Sequence, residues 1–196
     1  NSAVSQILVA AGTYNLDARY GAPNDMEFGS RLVIDHTVTI EAEVHGAVVF
    51  DAMEWFARVL RIKSNGKAEL IGLNITGGSP DSRGQGGGIF VESGGEAKLT
   101  NLNIYANTIT NRGGAESGGG LFIAGRATLD GCNVHNNIAR LIGHGAGLFV
   151  FSGGEVTLIN TKVYANSARN PCSYPCQYYH SGGMGGGIFV ESGGKA

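Results

Sequence analysis

Aliphatic residues alternate with other side chains along most of this chain, and the alternation returns at corresponding points. In four short segments two aliphatic residues flank one other position: Ile89 and Val91, Leu121 and Ile123, Leu148 and Val150, Ile188 and Val190. A period of two residues is typical of strands that bury one face. Glycine-rich runs beside these segments and many β-branched residues exclude helix. The pattern therefore predicts short β-strands throughout.

The predicted strands belong to a repeated phrase. GGGIFVESGG stands at 86–95 and returns letter for letter at 185–194, with looser copies at 118–125 and 145–154. A second phrase follows, and its leading leucines are 29, 30 and 29 residues apart: Leu70, Leu99, Leu129 and Leu158. Repetition at this period is typical of a solenoid, whose repeats bury their apolar faces against one another. Because the return path is itself strand-like, the sequence predicts an all-β parallel β-helix of about six coils.

Two motifs carry a family resemblance. One is the glycine run before an aliphatic residue, GGGI or GGGL, and the other places asparagine three positions after an aliphatic residue: Ile104 and Asn107, Val134 and Asn137, Val163 and Asn166. Together they resemble right-handed β-helix proteins of the pectin-lyase-like superfamily, above all the glycine-rich repeats of polymorphic outer-membrane or surface proteins. The resemblance covers about residues 31–196 and implies a right-handed, single-stranded coil. It implies no single activity, because this scaffold carries lyases, hydrolases, epimerases, adhesins and inert spacers.

We expect one β-helix domain over 1–196, with N-terminal coils and a cap at 1–57 and regular repeats at 58–196. The sequence stops inside a copy of the repeat, which indicates a segment of a longer protein. Loops are expected at one corner, between the motif asparagine and the next glycine run: 79–85, 108–117, 138–144 and 167–184. The asparagines there are expected to adopt the left-handed conformation and to hydrogen-bond to their stacked copies.

Composition excludes some classes of partner. The formal net charge of −2, from 14 basic and 16 acidic residues, gives no field that favours nucleic acid. No apolar run reaches the roughly 18–20 residues of a membrane helix, so no membrane insertion is expected within this segment. We predict no cofactor and no metal site.

Stacking makes residues with the same place in the phrase into neighbours. Three positions before each leucine the sign of the charge alternates from coil to coil: Lys67, Glu96, Arg126 and Glu155, with Lys195 in the last copy. Exposed ion pairs contribute little to stability. We therefore predict that this column fixes the register of the coils.

A second outward column is aromatic. It contains Phe90, Phe122, Phe149 and Phe189, continued by Arg61 one coil earlier, and it shares parity with Glu92 and Glu191. Two interpretations stay open. Neighbouring loops cover the rings and make a satellite core, or the stripe is an exposed contact surface for sugars or for lateral assembly.

The expected loops carry one arginine each: Arg83, Arg112, Arg140 and Arg169. The later loops add His144 and a cluster of Tyr174, Tyr178, Tyr179 and His180. Guanidinium groups beside aromatic rings suit an anionic polysaccharide, since they match carboxylate or sulfate groups. Arginine is equally an ordinary residue of solvated loops, so both interpretations remain.

Cys132 shares a repeat position with Leu102 and Thr161, which predicts a buried thiol. Cys172 and Cys176 stand in the longest loop, and a disulfide between them would imply an oxidising compartment. A metal site there is less favoured, since one nearby histidine leaves the ligand set incomplete. Asn74 begins an N-x-T sequon and is predicted to face outward if it carries a glycan.

These patterns predict a secreted or cell-surface structural or adhesive β-helix. Its Phe stripe and arginine-bearing loops would contact glycans or other protein chains, end to end or laterally. The alternative is a polysaccharide lyase or epimerase acting on an anionic polysaccharide, with His144 or Tyr178 as base and Arg140 or Arg169 as the neutralising cation. Hydrolysis by two carboxylates is disfavoured, because Glu92 and Glu191 stand three coils apart.

Overall fold

A computed structural model describes residues 5–16, 30–53, 57–80, 85–109, 117–140, 143–169 and 185–196. Within these ranges the chain forms strands and turns, with no helix that is long and apolar enough to cross a membrane. Strands one turn apart in the chain pair in parallel. The described chain is therefore a parallel solenoid, as the repeat predicts.

Two of its faces are six-stranded sheets. Sheet 1 consists, in spatial order, of β1 (Ser5–Val9), β4 (Thr37–Ala42), β7 (Lys67–Ile71), β10 (Glu96–Thr100), β14 (Arg126–Asp130) and β18 (Glu155–Ile159). Sheet 2 consists of β2 (Gly12–Asn15), β5 (Val48–Asp51), β8 (Leu73–Thr76), β11 (Asn103–Tyr105), β15 (Asn133–His135) and β19 (Lys162–Tyr164).

A third six-stranded sheet closes the coil. Sheet 3 consists of β3 (Ser30–Ile34), β6 (Arg58–Ile62), β9 (Ile89–Val91), β13 (Leu121–Ile123), β17 (Leu148–Val150) and β21 (Ile188–Val190). A short sheet holds β12 (Thr108–Ile109), β16 (Ile138–Arg140) and β20 (Ser167–Arg169). Each turn passes from sheet 3 to sheet 1 and sheet 2, and the later turns continue into the short sheet. Among the described residues, five complete turns run from β3 to β20, with a partial turn at each end.

Aliphatic columns fill the interior. Leu99 lies opposite Leu70 on one side and Leu129 on the other, and all three are fully buried. The second-phrase positions Ile104 and Val134 are buried in the same way. Burial of one such side chain contributes roughly 1.5–3 kcal/mol. The alternation in the sequence therefore marks the inner face correctly.

Left-handed residues turn the corners, though not always the predicted ones. Gly94 and Gly153 have φ of 88° and 81° at the corner between sheet 3 and sheet 1. At the asparagine corner the left-handed residue is the one before each motif asparagine: Ala106, Asn136 and Ala165. The prediction of left-handed Asn107, Asn137 and Asn166 is therefore wrong. Turning the preceding residue directs the amide inward, and Asn107 and Asn137 are completely buried.

The buried asparagines do hydrogen-bond along the stack. The Oδ1 atom of Asn137 accepts from the backbone N–H and the Nδ2 of Asn107, both at 3.1 Å. Its Nδ2 donates to the Ile104 carbonyl at 2.9 Å and to Asn166 Oδ1 at 3.0 Å. Each amide thus joins its own turn to the turns on either side.

Candidate functional site

The phenylalanine column forms in the predicted register on the outer side of sheet 3. Phe122 lies opposite Phe90 and Phe149, and Phe189 follows in the next turn. The Phe122 and Phe149 rings stack with centroids 5.1 Å apart, and Phe149 stacks on Phe189 at 5.3 Å. Arg61 precedes Phe90 in the same column.

The middle of this column is not a surface. Phe122 and Phe149 are only 2% and 5% exposed, while Phe90 and Phe189 are half-buried. Phe151 packs beside Phe122 with a centroid distance of 5.7 Å and is itself 41% exposed. The rings therefore form a satellite core outside the main one, which agrees with the first of the two interpretations, and only the rim of the column is open to solvent.

Two arginines stabilise the N-terminal end of the column. Arg61 forms an ion pair with Glu92, whose other carboxylate oxygen accepts the Ser64 backbone N–H at 3.1 Å. Arg58, which sequence reasoning passed over, is 3% exposed and has its guanidinium carbon 5.1 Å from the Phe90 ring centroid. The Arg61 guanidinium is thus engaged within the protein, so it fits a structural role better than a ligand-binding one.

The arginines predicted to lie in loops are only partly described. Arg140 ends β16 with an exposed side chain, and its register partner in β20 is Arg169. Gly143, the residue before His144, donates its backbone N–H to the Arg140 carbonyl at 3.2 Å. The His144 ring stacks on Phe189 at 5.0 Å. Other predicted site residues lie outside the described ranges: Arg83, Arg112, Cys172, Tyr174, Cys176, Tyr178, Tyr179 and His180.

Asn74 lies on the outer face of sheet 2, in register with Asn103, but it is not open to solvent as a glycan acceptor would be. It is 7% exposed, and its Nδ2 donates to the carbonyls of Gly46 at 2.8 Å and Val48 at 3.0 Å. Both amide protons are therefore used. Gly46 and Val48 of the preceding turn cover the side chain, so Asn74 lacks the exposure that the predicted glycan attachment requires.

Cys132 is a buried free thiol, as its repeat position predicts. Its Sγ donates to the Leu99 carbonyl at 3.3 Å, and desolvation by burial raises the pKa of the thiol. Thr161 occupies the same place one turn later and donates to the Leu129 carbonyl at 3.1 Å. Within the described ranges no three His, Cys, Asp or Glu side chains group as a metal site would require.

The charge column forms on the outer face of sheet 1. Lys67 Nζ lies 3.0 Å from Glu96, and Arg126 Nε lies 3.4 Å from Glu155, whose backbone pairs with that of Lys195 in the last turn. In a parallel column Lys98 Nζ lies 2.7 Å from Glu69. A shallow groove of about 580 Å³ follows this face. Its charges are largely satisfied by one another.

Sheet 2 carries an aromatic column that sequence reasoning missed. The rings of Tyr105 and His135 stack with centroids 5.4 Å apart and planes 6° apart, and His135 stacks on Tyr164 at 4.9 Å and 11°. Tyr164 is 49% exposed. The signal was available, because all three residues occupy one place in the second phrase, directly after its last aliphatic residue.

Parallel pairing, inward aliphatic columns and an internal asparagine ladder define a single-stranded β-solenoid. Residues 58–196 match the family described as Right handed beta helix region, and the chain belongs to that family. The family match is consistent with the pectin-lyase-like superfamily and does not extend to outer-membrane repeats, which remain a resemblance. No curated protein and no solved structure matches the chain.

Proposed function

We propose that this β-helix is a structural and adhesive element of a secreted or cell-surface protein and that it contacts an anionic glycan. The contact surface is the corner at which Arg140 and Arg169 follow one another on adjacent turns. Their register pairing is the observation that carries the proposal. The pairing brings two positively charged residue types to one corner of the coil, and positive charge of this kind attracts an anionic polymer. Guanidinium groups also match carboxylate or sulfate groups by paired hydrogen bonds.

Aromatic groups follow this corner along the chain. The hydrogen bond from Gly143 N to the Arg140 carbonyl precedes His144, whose ring stacks on Phe189 at the open end of the phenylalanine column. Adjacent turns repeat at the strand spacing of about 4.8 Å. A polymer with repeating anionic units can therefore meet corresponding groups on successive turns.

Affinity electrophoresis in gels that contain polygalacturonate, heparin or uncharged dextran tests the proposal. We expect retardation by an anionic polymer, weaker at high salt, and about tenfold weaker binding for Arg140→Ala, since a charge-assisted hydrogen bond contributes roughly 1.5–3 kcal/mol. Arg126→Ala is the matched control, because that exposed arginine pairs with Glu155 on sheet 1. Equal losses in the two variants would show non-specific charge attraction and overturn the assignment.

A second candidate is a lyase or epimerase on the same polymer. The observation in its favour is the sequence proximity of His144 to Arg140: the residue before His144, Gly143, donates its N–H to the Arg140 carbonyl. Arg169 is the register partner of Arg140 on the next turn of the coil. A base takes the proton beside the uronate carboxylate, the arginines neutralise the developing charge, and the glycosidic oxygen leaves as the double bond forms. Incubation with the anionic polymer, followed by ultraviolet absorbance, detects the unsaturated ends that elimination produces. If this absorbance appears with the wild type and is lost in His144→Ala and Arg140→Ala, the protein is an eliminating enzyme and not an adhesive element.

A further inference from the structure

The outer face of sheet 2 carries two parallel columns of unlike chemistry. One is the stacked ring column of Tyr105, His135 and Tyr164. Two residues earlier on the same strands stand Asn103, Asn133 and Lys162 in register. Side chains two apart in a strand share a face, so these six form one surface. The surface belongs to a different sheet from the Arg140 corner.

The amide column leaves hydrogen-bonding capacity unused. Asn133 Nδ2 donates to Asn103 Oδ1 at 2.9 Å, and Asn103 Nδ2 donates to Asn74 Oδ1 at 2.9 Å. An amide offers two N–H donors and one carbonyl oxygen. Asn103 and Asn133 therefore each keep one donor, and Asn133 also keeps its acceptor. Among the residues that the structure describes, the Tyr105 and Tyr164 hydroxyls and Lys162 Nζ make no hydrogen bond or ion pair.

The centre of this surface is uncharged. Partial burial between the two tyrosine rings lowers the pKa of His135, which keeps the imidazole neutral near pH 7. Lys162 stands at one edge only. The charged face of sheet 1 differs, because its lysines and glutamates pair with each other. Unused donors and acceptors beside flat rings match a ligand that is rich in hydroxyl groups and carries no charge.

We propose that Asn103, Asn133 and the Tyr105–His135–Tyr164 column form a binding surface for an uncharged glycan chain that lies along the coil axis. The ring centroids follow one another at 4.9–5.4 Å, so the rings meet successive hydroxyls, while the amides pair with hydroxyls on the neighbouring side. Such binding does not depend on salt, because no ion pair is formed or broken. It is independent of the anionic contact proposed above.

Titration with three soluble neutral polysaccharides, dextran, galactomannan and hydroxyethylcellulose, tests this surface by affinity electrophoresis at low and high salt. We expect retardation by at least one polymer, unchanged by salt, and about tenfold weaker binding for Tyr164→Ala and for Asn133→Ala, because each variant loses groups that pair with ligand hydroxyls. Ile159→Ala on sheet 1, with 43% exposure against 49% for Tyr164, is the matched control and keeps wild-type binding.

The two proposals fail separately. Arg140→Ala is expected to keep the neutral binding while it loses the anionic one. Circular dichroism shows whether the exposed Tyr164→Ala variant retains the wild-type fold, and Tyr164→Phe, which keeps the ring, is expected to bind more tightly than Tyr164→Ala. Absence of binding to all three polymers, or undiminished binding by folded Tyr164→Ala and Asn133→Ala, overturns the inference.

Discussion

Glu96 on β10 lies 3.0 Å from Lys67 on β7, 29 residues earlier in the chain, and Arg126 is its register partner on the opposite side. Glu96→Lys would place three cations in one column. We expect a loss of about 1 kcal/mol at low salt, since like charges opposite each other repel and exposed pairs contribute at most about that much.

Thermal unfolding at low salt and at about 1 M salt measures this effect, and the loss should shrink at high salt because the charges are screened. Glu43→Lys, at an exposed residue outside the column, is the control. A loss that does not respond to salt would indicate that packing, and not charge, is responsible.

Phe122 should behave as a core residue although it projects away from the main core. Phe122→Ala removes a ring that is 2% exposed and contacts Phe90, Phe149 and Phe151. We expect a loss of about 3–5 kcal/mol in the free energy of unfolding. Phe151→Ala, at 41% exposure, should cost less than about 1 kcal/mol. Similar urea midpoints for the two variants would contradict a satellite core.

The buried asparagine ladder should contribute more to the free energy of unfolding than exposed polar residues do. Asn137→Ala leaves the Ile104 carbonyl and the Asn107 N–H without their partner in a buried site. Each unsatisfied group costs about 1–3 kcal/mol, so we expect a loss of about 3 kcal/mol by urea denaturation. The exposed Thr157→Ala on sheet 1 should change stability by less than about 0.5 kcal/mol. A comparably small effect at Asn137 would show that water replaces the ladder.

Gly120 and Gly153 are expected to be required for different reasons, Gly120 for close packing against its neighbours and Gly153 for its left-handed backbone conformation. A Cβ at Gly120 would lie 2.6 Å from the Gly147 carbonyl oxygen and 2.9 Å from Asn137 Nδ2, so Gly120→Ala must displace backbone and is expected to cost more than about 3 kcal/mol. Gly153 has φ of 81° with nothing within 4 Å of an added Cβ. Gly153→Ala should therefore cost only the left-handed penalty of about 1–2 kcal/mol. The reverse order of urea midpoints would refute the packing at the glycine run.

His135 should make the coil sensitive to acid. Because its pKa is lowered by desolvation, the unfolded chain takes up the proton first, and stability falls as the pH drops below the ordinary histidine range near 6.5. The facing groups are the uncharged rings of Tyr105 and Tyr164. His135→Phe keeps a ring in the stack but removes the group that can be protonated. The urea midpoints of this variant at about pH 7.5 and pH 5.5 should therefore differ less than those of the wild type. If the two midpoints differ as much in His135→Phe as in the wild type, His135 is not responsible for the loss of stability in acid.

Register was the part of this structure that the sequence could predict. Equal spacing placed Glu96 against Arg126 and Phe90 against Phe122, because a solenoid converts repeat position directly into contact. The inward position of Cys132 followed in the same way. These predictions used only the position of each residue in the repeat.

Depth on the outer side was harder to predict. Parity gives the direction of a side chain but not what covers it, so it left the depth of Phe122 open and did not predict the burial of Asn74. The left-handed corner residue was assigned to Asn107 from its chemistry, whereas Ala106 adopts that conformation and frees the amide for the ladder. The Tyr105 column was overlooked because its members differ in type while sharing a flat ring.

The alternating charges bear on how such a coil can lengthen. The identical phrases at 86–95 and 185–194 are three turns apart, and the residue that follows them changes from Glu96 to Lys195. Insertion of one copied coil would set two equal charges side by side, whereas a copied pair keeps every neighbour opposite. A chain of this kind is therefore expected to grow by duplication of even numbers of coils, or to acquire a charge reversal with each odd one.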